Sequence, residues 1–176
     1  MRDLRRRGYS RDEAERRALL ALALTLTAPG PAMVYAGQEF GEDTAKTVGS
    51  NPLNWGRTEG WFGRPARRLR DAARALVRLR TTHPALRTGA VTLDQQGLPD
   101  GVAVYTRGEA GAAVVVAANF GRRERRVTVN LPGAGPWRDV LRGNPASPLR
   151  GDRITIALEP GGVAVWATDL SLASVR

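Results

Sequence analysis

The sequence predicts an α/β segment of two helices and one strand, followed by an all-β antiparallel sandwich. Three observations predict it. Apolar residues recur at helical spacing as far as Thr88 and Gly89. A short apolar run bounded by proline and glycine, Pro31 to Tyr35, sits between the two helical stretches. Beyond Gly89, strand-like runs alternate with turns marked by glycine and proline.

The first helix has a readable start. Ser10 and Glu13 have capping-box spacing, in which the serine oxygen takes one orphan backbone N–H and the glutamate returns to the cap. Arg11 to Arg17 is charged, whereas Ala18 to Thr27 is apolar all round, so burial on several faces is expected. Pro29 and Gly30 stop the helix. The length and flanks of Pro31 to Tyr35 favour a buried strand, and a strand entered from a helix calls for parallel neighbours. This region supplies none. Gly37 to Gly63 is long, without steady period, and rich in Gly, Asn, Pro and Trp; such loops are functional or mobile. Pro65 opens the second helix, whose apolar stripe is Ala66, Leu69, Ala73, Leu76 and Leu79, and Pro84 marks its end. Arginines 64, 67, 68, 70, 74, 78 and 80 occupy much of the rest: a solvated face, or a surface for an anionic or protein partner.

Seven strands are expected in the second half: Ala90–Asp94, Gly101–Thr106, Ala112–Asn119, Arg125–Leu131, Trp137–Leu141, Arg153–Leu158 and Gly162–Thr168. Val127, Val129 and Leu131 alternate with polar residues, as do Ile154, Ile156 and Leu158, which marks strands with one face buried. Turn signals fall at 97–100, 108–111, 132–136 and 160–162. Short antiparallel strands of this number make a small sandwich.

Composition excludes several functions. With no cysteine there is no disulfide scaffold, thiol nucleophile or thiolate metal site, and no metal or cofactor is expected. The apolar run Ala18 to Ala28 is too short to span a bilayer and lacks a cleavage pattern, so no signal peptide or membrane association is expected. Cytoplasmic localisation is the default. The net charge of +10 comes almost wholly from arginine, Lys46 being the only lysine, which reads as coding bias alongside abundant Ala, Gly and Pro. A nucleic-acid binder would need a motif beside the charge, and none is present. The densest run, Arg122 to Arg126, lacks aromatic interleaving and reads as a solvated hairpin tip.

Five segments carry a family resemblance. Ala28-Pro29-Gly30-Pro31-Ala32-Met33-Val34-Tyr35-Ala36-Gly37-Gln38-Glu39-Phe40-Gly41 is the first, and Asn51-Pro52-Leu53-Asn54-Trp55 the second. Leu76 to Leu86, with its Leu-Arg-x-x-His-Pro-Ala-Leu ending, is the third. Val116-Ala117-Ala118-Asn119-Phe120 and Pro160-Gly161-Gly162-Val163-Ala164-Val165-Trp166 complete the set. In this order, over about residues 11 to 168, they resemble the end of glycoside hydrolase family 13, the α-amylase family. The resemblance implies that residues 1–88 are the remnant of a TIM barrel (helix seven, strand eight, a long loop and helix eight) and that 89–176 are the C-terminal antiparallel β-sandwich domain. It implies carbohydrate metabolism, with hydrolysis or transglycosylation of an α-glucan or maltooligosaccharide by the complete enzyme. It also places the three catalytic carboxylates of the family upstream of Met1. No catalytic residue is therefore expected here, and a polypeptide supplying the missing barrel is a candidate partner. The alternatives are an accessory α-glucan-binding or structural module and, last, a basic nucleic-acid binder.

The candidate substrate-side loop holds Gln38, Glu39, Trp55 and Trp61. Gln38 is placed there by position alone. Glu39 ties the loop to neighbouring backbone or touches a sugar. The two tryptophans stack on a sugar ring or cover the top of the barrel. A retaining pair built from Glu39 with Glu42 or Asp43 is disfavoured, because neither reads as buried or matched to a partner of different pKa. His83 is expected to make hydrogen bonds at a helix end, where the negative end of the helix favours it. Finally, the first half is expected to be unstable alone, while the β half folds by itself.

Overall fold

The computed structural model describes residues 1–45, 47–59, 63–87, 90–94, 98–133, 136–142 and 152–168. Helix α2 (Arg11–Thr27) starts at Ser10, whose side chain accepts from the Glu13 N–H at 3.2 Å. The reciprocal half of the capping box does not form, because the Glu13 carboxylate takes Arg17 instead, at 2.9 Å. Helix α3 (Arg64–Thr82) has proline in its first turn and buries the predicted stripe of Ala66, Leu69, Ala73, Leu76 and Leu79. A short helix α1 (Arg2–Arg6), not anticipated from periodicity, precedes both.

All seven expected strands form: β1 (Val91–Asp94), β2 (Val102–Glu109), β3 (Ala112–Asn119), β4 (Arg125–Asn130), β5 (Trp137–Asp139), β6 (Arg153–Leu158) and β7 (Val163–Thr168). The larger sheet runs β1-β2-β3-β7-β5 and the smaller pairs β4 with β6, every pair antiparallel. The segment Arg122–Arg126 is therefore a crossover between sheets rather than a hairpin tip, since β3 pairs with β2 and β7 while β4 pairs with β6. Its arginines 122, 123 and 126 are exposed, as expected of a solvated run. The β2–β3 turn is confined to Ala110 and Gly111, with Gly108 inside β2 at φ 78°. A Cβ there would meet the Ala112 carbonyl oxygen at 2.3 Å, so the position requires glycine.

Alternation sorts the side chains of the large sheet into two cores. Val102, Val104, Val115, Ala117 and Trp166 face the small sheet, where Val129 and Leu158 complete the sandwich interior. Tyr105, Val114, Val116, Val165 and Ala167 face the other way and meet Leu22 and Leu26 of α2 and Leu69, Leu76 and Leu79 of α3. The molecule thus has three layers: helices, large sheet, small sheet. The β half buries the inner faces of its two sheets by itself, but the outer face of its large sheet is covered by the helices. The helices supply one cover, so residues on both sides of the Thr88–Gly89 divide share a core.

The predicted strand Pro31–Tyr35 is not one. It pairs with no strand among the described residues; Val34 packs against the helix-side core, but Met33 is 79% and Tyr35 62% exposed. The reason is the one its composition announced: a parallel-type strand requires a neighbour to pair with, and none lies there among the described residues.

Polar bonds tie the helices to the large sheet. Two arginines cap the C-terminal carbonyls of α2: Arg107 Nη1 donates to Thr27 O at 2.6 Å, and Arg80 donates to Ala28 O at 2.6 Å and to Gly30 O. Thr27 and Tyr105 share a hydroxyl–hydroxyl bond of 2.6 Å. His83 lies buried at the end of α3. Its Nδ1 accepts from Ala85 N at 3.3 Å, which leaves Nε2–H to donate toward the Thr168 hydroxyl and carbonyl at 3.2 and 3.3 Å. The helix-end role holds, but the ring is neutral rather than a cation drawn to a negative helix end. Burial holds it below the ordinary imidazole value, against a smaller opposite pull from the Thr168 carbonyl.

That sign gives a test. The unfolded chain takes a proton on His83 near the ordinary imidazole pKa of 6.5, while the folded chain takes it only at lower pH. The unfolded state binds more protons in between, so this contribution is complete above pH 6.5 and is lost as pH falls through the folded value. We expect a lower thermal midpoint at pH 5.5 than at pH 7.5, and a smaller difference in His83→Gln. Equal pH slopes in the two proteins would remove His83 as the cause.

Candidate functional site

The loop from Gly37 to Glu59 is organised by one carboxylate. Gly37 and Gly41, at φ 90° and 74°, flank a short 3-10 turn, Gln38–Phe40, and return the chain tightly enough to place Glu42 against Gly37. A Cβ on Gly37 would lie 2.6 Å from that of Glu42. Glu42 Oε1 accepts from Asp43 N (2.9 Å), Thr44 N (2.8 Å) and Thr44 Oγ1 (2.6 Å), while Oε2 accepts from Asn54 N at 2.7 Å. Partial burial pushes this carboxyl up, but the hydroxyl of Thr44 and the N–H groups of Thr44, Asn54 and Asp43 together outweigh it and bring it to about 2.

Further contacts extend the frame. Asp43 pairs with Arg57, Thr58 Oγ1 donates to Trp55 O at 2.8 Å, and Arg67 Nη1 donates to Thr58 O at 2.7 Å, anchoring the loop to α3. Asn51 accepts from Thr47 N and donates to the Thr47 carbonyl, both at 2.8 Å. Trp55 is presented outward, 55% exposed, its ring centroid 5.0 Å from that of buried Phe40 and tilted by 38°.

The predicted site residues divide. Gln38 is turned inward on its own loop, with Oε1 accepting from Tyr35 N at 3.2 Å, and it shares with Tyr35 and Glu42 the wall of an open pocket of about 330 Å³. Trp55 stands apart from that pocket. Glu39 is half-buried, and among the described residues its carboxylate has no hydrogen-bond or ion-pair partner. The tying role expected of Glu39 belongs to Glu42. Trp61 lies outside the described residues.

Chemically the loop is poor in acids and bases. A general acid must hold a proton near neutral pH and a retaining pair must face across one bond. Glu42 is held ionised by four donors, and Asp43 is engaged by Arg57. Among the described residues no group of three His, Asp or Glu side chains is placed to hold a metal, and no helix is long and apolar enough to cross a membrane. What the loop offers is an exposed aromatic face on a stiff frame. Sequence reasoning missed Glu42 as its centre; the one available signal was a glutamate directly after Gly41 and two residues before Thr44.

Comparison with known proteins finds a family likeness in the β half. Residues 94–169 match the model of the alpha amylase C-terminal all-beta domain. Residues 94–169 are thus similar to the C-terminal β domain of α-amylases. Among curated proteins, the 1,4-alpha-glucan branching enzyme GlgB of Corynebacterium jeikeium is 29% identical over 133 residues, 68% of this chain and 18% of that protein. Among solved structures, the Anoxybacillus α-amylase superposes with a TM-score of 0.62 at 25% identity, over 87% of this chain and 32% of its own. The α-amylase of Geobacillus thermoleovorans, solved with acarbose, gives a TM-score of 0.60 at 22% identity, over 89% of this chain and 34% of its own. The chain therefore spans about a fifth of the branching enzyme and about a third of the solved amylases. The resemblance to the C-terminal portion of glycoside hydrolase family 13 holds, and it extends beyond the matched β domain into the helices.

Proposed function

We propose that this chain is the C-terminal section of an α-glucan-processing glycosidase and does not turn over glucan by itself. In this reading residues 1–88 are the end of a (β/α)8 barrel, with α2 and α3 as its last two helices and Pro31–Tyr35, unpaired here, as the segment that the complete barrel would pair as its eighth strand, and residues 89–176 are the terminal β domain. The observation that carries it is the reach of the likeness to solved amylases, 87 to 89% of the chain, which takes in α-helical as well as β residues. The exposure of Met33 and Tyr35 supports it, since a barrel strand without its neighbours has bare edges and faces. A polypeptide holding the remaining strands is the matching partner, and an α-glucan or maltooligosaccharide the matching ligand. The experiment is a reducing-sugar assay of the full chain on starch, maltodextrin and trehalose. No product is expected; turnover that Glu39→Gln abolishes overturns the reading.

A second reading, an accessory α-glucan-binding module, is favoured by one observation: the ring of Trp55 is open to solvent and backed by Phe40. Titration of the full chain with maltoheptaose, followed by tryptophan fluorescence, decides it. No change at millimolar ligand removes this reading.

A further inference from the structure

We infer that Glu42 is a positioning residue that, through the backbone of Asn54, holds Trp55 as a fixed platform for a pyranose ring. The ligand in this statement rests on the glucan-facing reading above; the mechanical link does not. The two oxygens of Glu42 do different work. Oε1 closes the local turn at Asp43 and Thr44, within two residues of itself. Oε2 reaches twelve residues along the chain to the N–H of Asn54, immediately before Trp55.

On its other side Trp55 rests on Phe40, which is buried and two residues before Glu42. Glu42 thus stands between the residue that backs the tryptophan ring and the residue that fixes its backbone. Gly37 leaves the space the glutamate needs. A flat apolar face held at one angle and open to water suits the apolar face of a sugar ring, and holding it beforehand removes the ordering cost that a mobile tryptophan would impose on binding.

The division of labour makes Glu42→Gln a selective probe. A glutamine can keep one carbonyl oxygen at the Oε1 position and retain all three local bonds. Its amide nitrogen then sits at Oε2, where it offers a donor to the Asn54 N–H, which cannot accept it. Thr44→Val is the converse control: it removes a bond to Oε1 and leaves the one to Asn54. Asn54→Pro removes the donor from the other side, at a residue whose φ of −86° is close to what proline adopts.

The test uses the full chain with tryptophan labelled at the indole nitrogen, Trp55 being assigned by Trp55→Phe. In Glu42→Gln and in Asn54→Pro the Trp55 indole resonance should shift and broaden, while those of buried Trp137 and Trp166 stay in place and report an intact fold. Thr44→Val should leave Trp55 unmoved. Maltoheptaose should bind the two platform variants about three- to tenfold more weakly than the parent chain, with little change in their urea midpoints. A Trp55 resonance unaltered in both platform variants overturns the inference, as does an equal perturbation in Thr44→Val. A parent chain whose Trp55 ignores maltoheptaose removes the glucan reading, while the comparison of indole resonances still decides the link from Glu42 to Trp55.

Discussion

A chain cut to residues 90–176 will fail to form a stable β-sandwich. The cut removes α2 and α3, and with them the cover over Tyr105, Val114, Val116, Val165 and Ala167. Fully burying a valine or larger apolar side chain contributes about 1.5–3 kcal/mol, so the three valines and Tyr105 together lose on the order of 6–12 kcal/mol. A domain of this kind has only about 5–15 kcal/mol of net stability to lose. The small sheet cannot compensate, because it covers the opposite face. The cut also removes the bond from His83 to Thr168 and the carbonyl of Thr27 that receives Arg107. We expect collapsed amide dispersion, binding of an apolar dye and no cooperative urea transition in the cut chain, against dispersed amides, no dye binding and a cooperative transition in the full chain. A cut chain with the parent's cooperative midpoint would mean that the helix layer is dispensable.

The pattern of β3 already contained this result. Strands covered on one face alternate, as Val127, Val129 and Ile154, Ile156 do in β4 and β6. Ala112 to Ala118 does not alternate; it is one continuous apolar run, and Ala113 to Ala118 are all fully buried. Such a run marks a central strand with cover on both sides. Read that way, it asks for a third layer, and the apolar stripe of α3 is the surface that provides it. The apolar run at Pro31–Tyr35 was equally legible, but periodicity reports the character of a strand and not whether a partner exists to pair with it. The order of strands was out of reach for another reason: β7 lies between β3 and β5, and no local spacing records which strand comes back beside which. Glu42 was hidden because its decisive partner is twelve residues away, across a loop without regular period. Exposed Trp55, by contrast, could be nominated from its place in a Gly- and Asn-rich loop, and the structure presents it to solvent.

Arg107→Met should cost about 2–4 kcal/mol of stability. Arg107 is 1% exposed, on β2, and among the described residues it donates to two main-chain oxygens: Thr27 O at the end of α2, at 2.6 Å, and Ala90 O beside β1, at 2.9 Å. Three elements therefore meet at one guanidinium. Two effects oppose each other when it is removed. Burial, and the charge of nearby Arg80, hold its pKa below the ordinary arginine value, so deleting the charge relieves a real desolvation cost. Against that, two acceptors lose a charged donor, and a buried acceptor left unmade costs about 1–3 kcal/mol. Thr27 O decides the balance. It is among the last carbonyls of α2, which have no partner within the helix, and the structure hands it to Arg107 while Arg80 takes those of Ala28 and Gly30. Methionine fills most of the volume of the arginine stem, so the loss is one of hydrogen bonds more than of packing. Arg107→Lys keeps the charge but can satisfy the two oxygens less well, and should fall between the parent and Arg107→Met in urea midpoint. Tyr105→Phe, which removes only the neutral bond to Thr27, should cost about 1 kcal/mol. If Arg107→Met unfolds at the parent's midpoint, relief of the buried charge outweighs the two bonds, and the cap on α2 contributes register rather than stability.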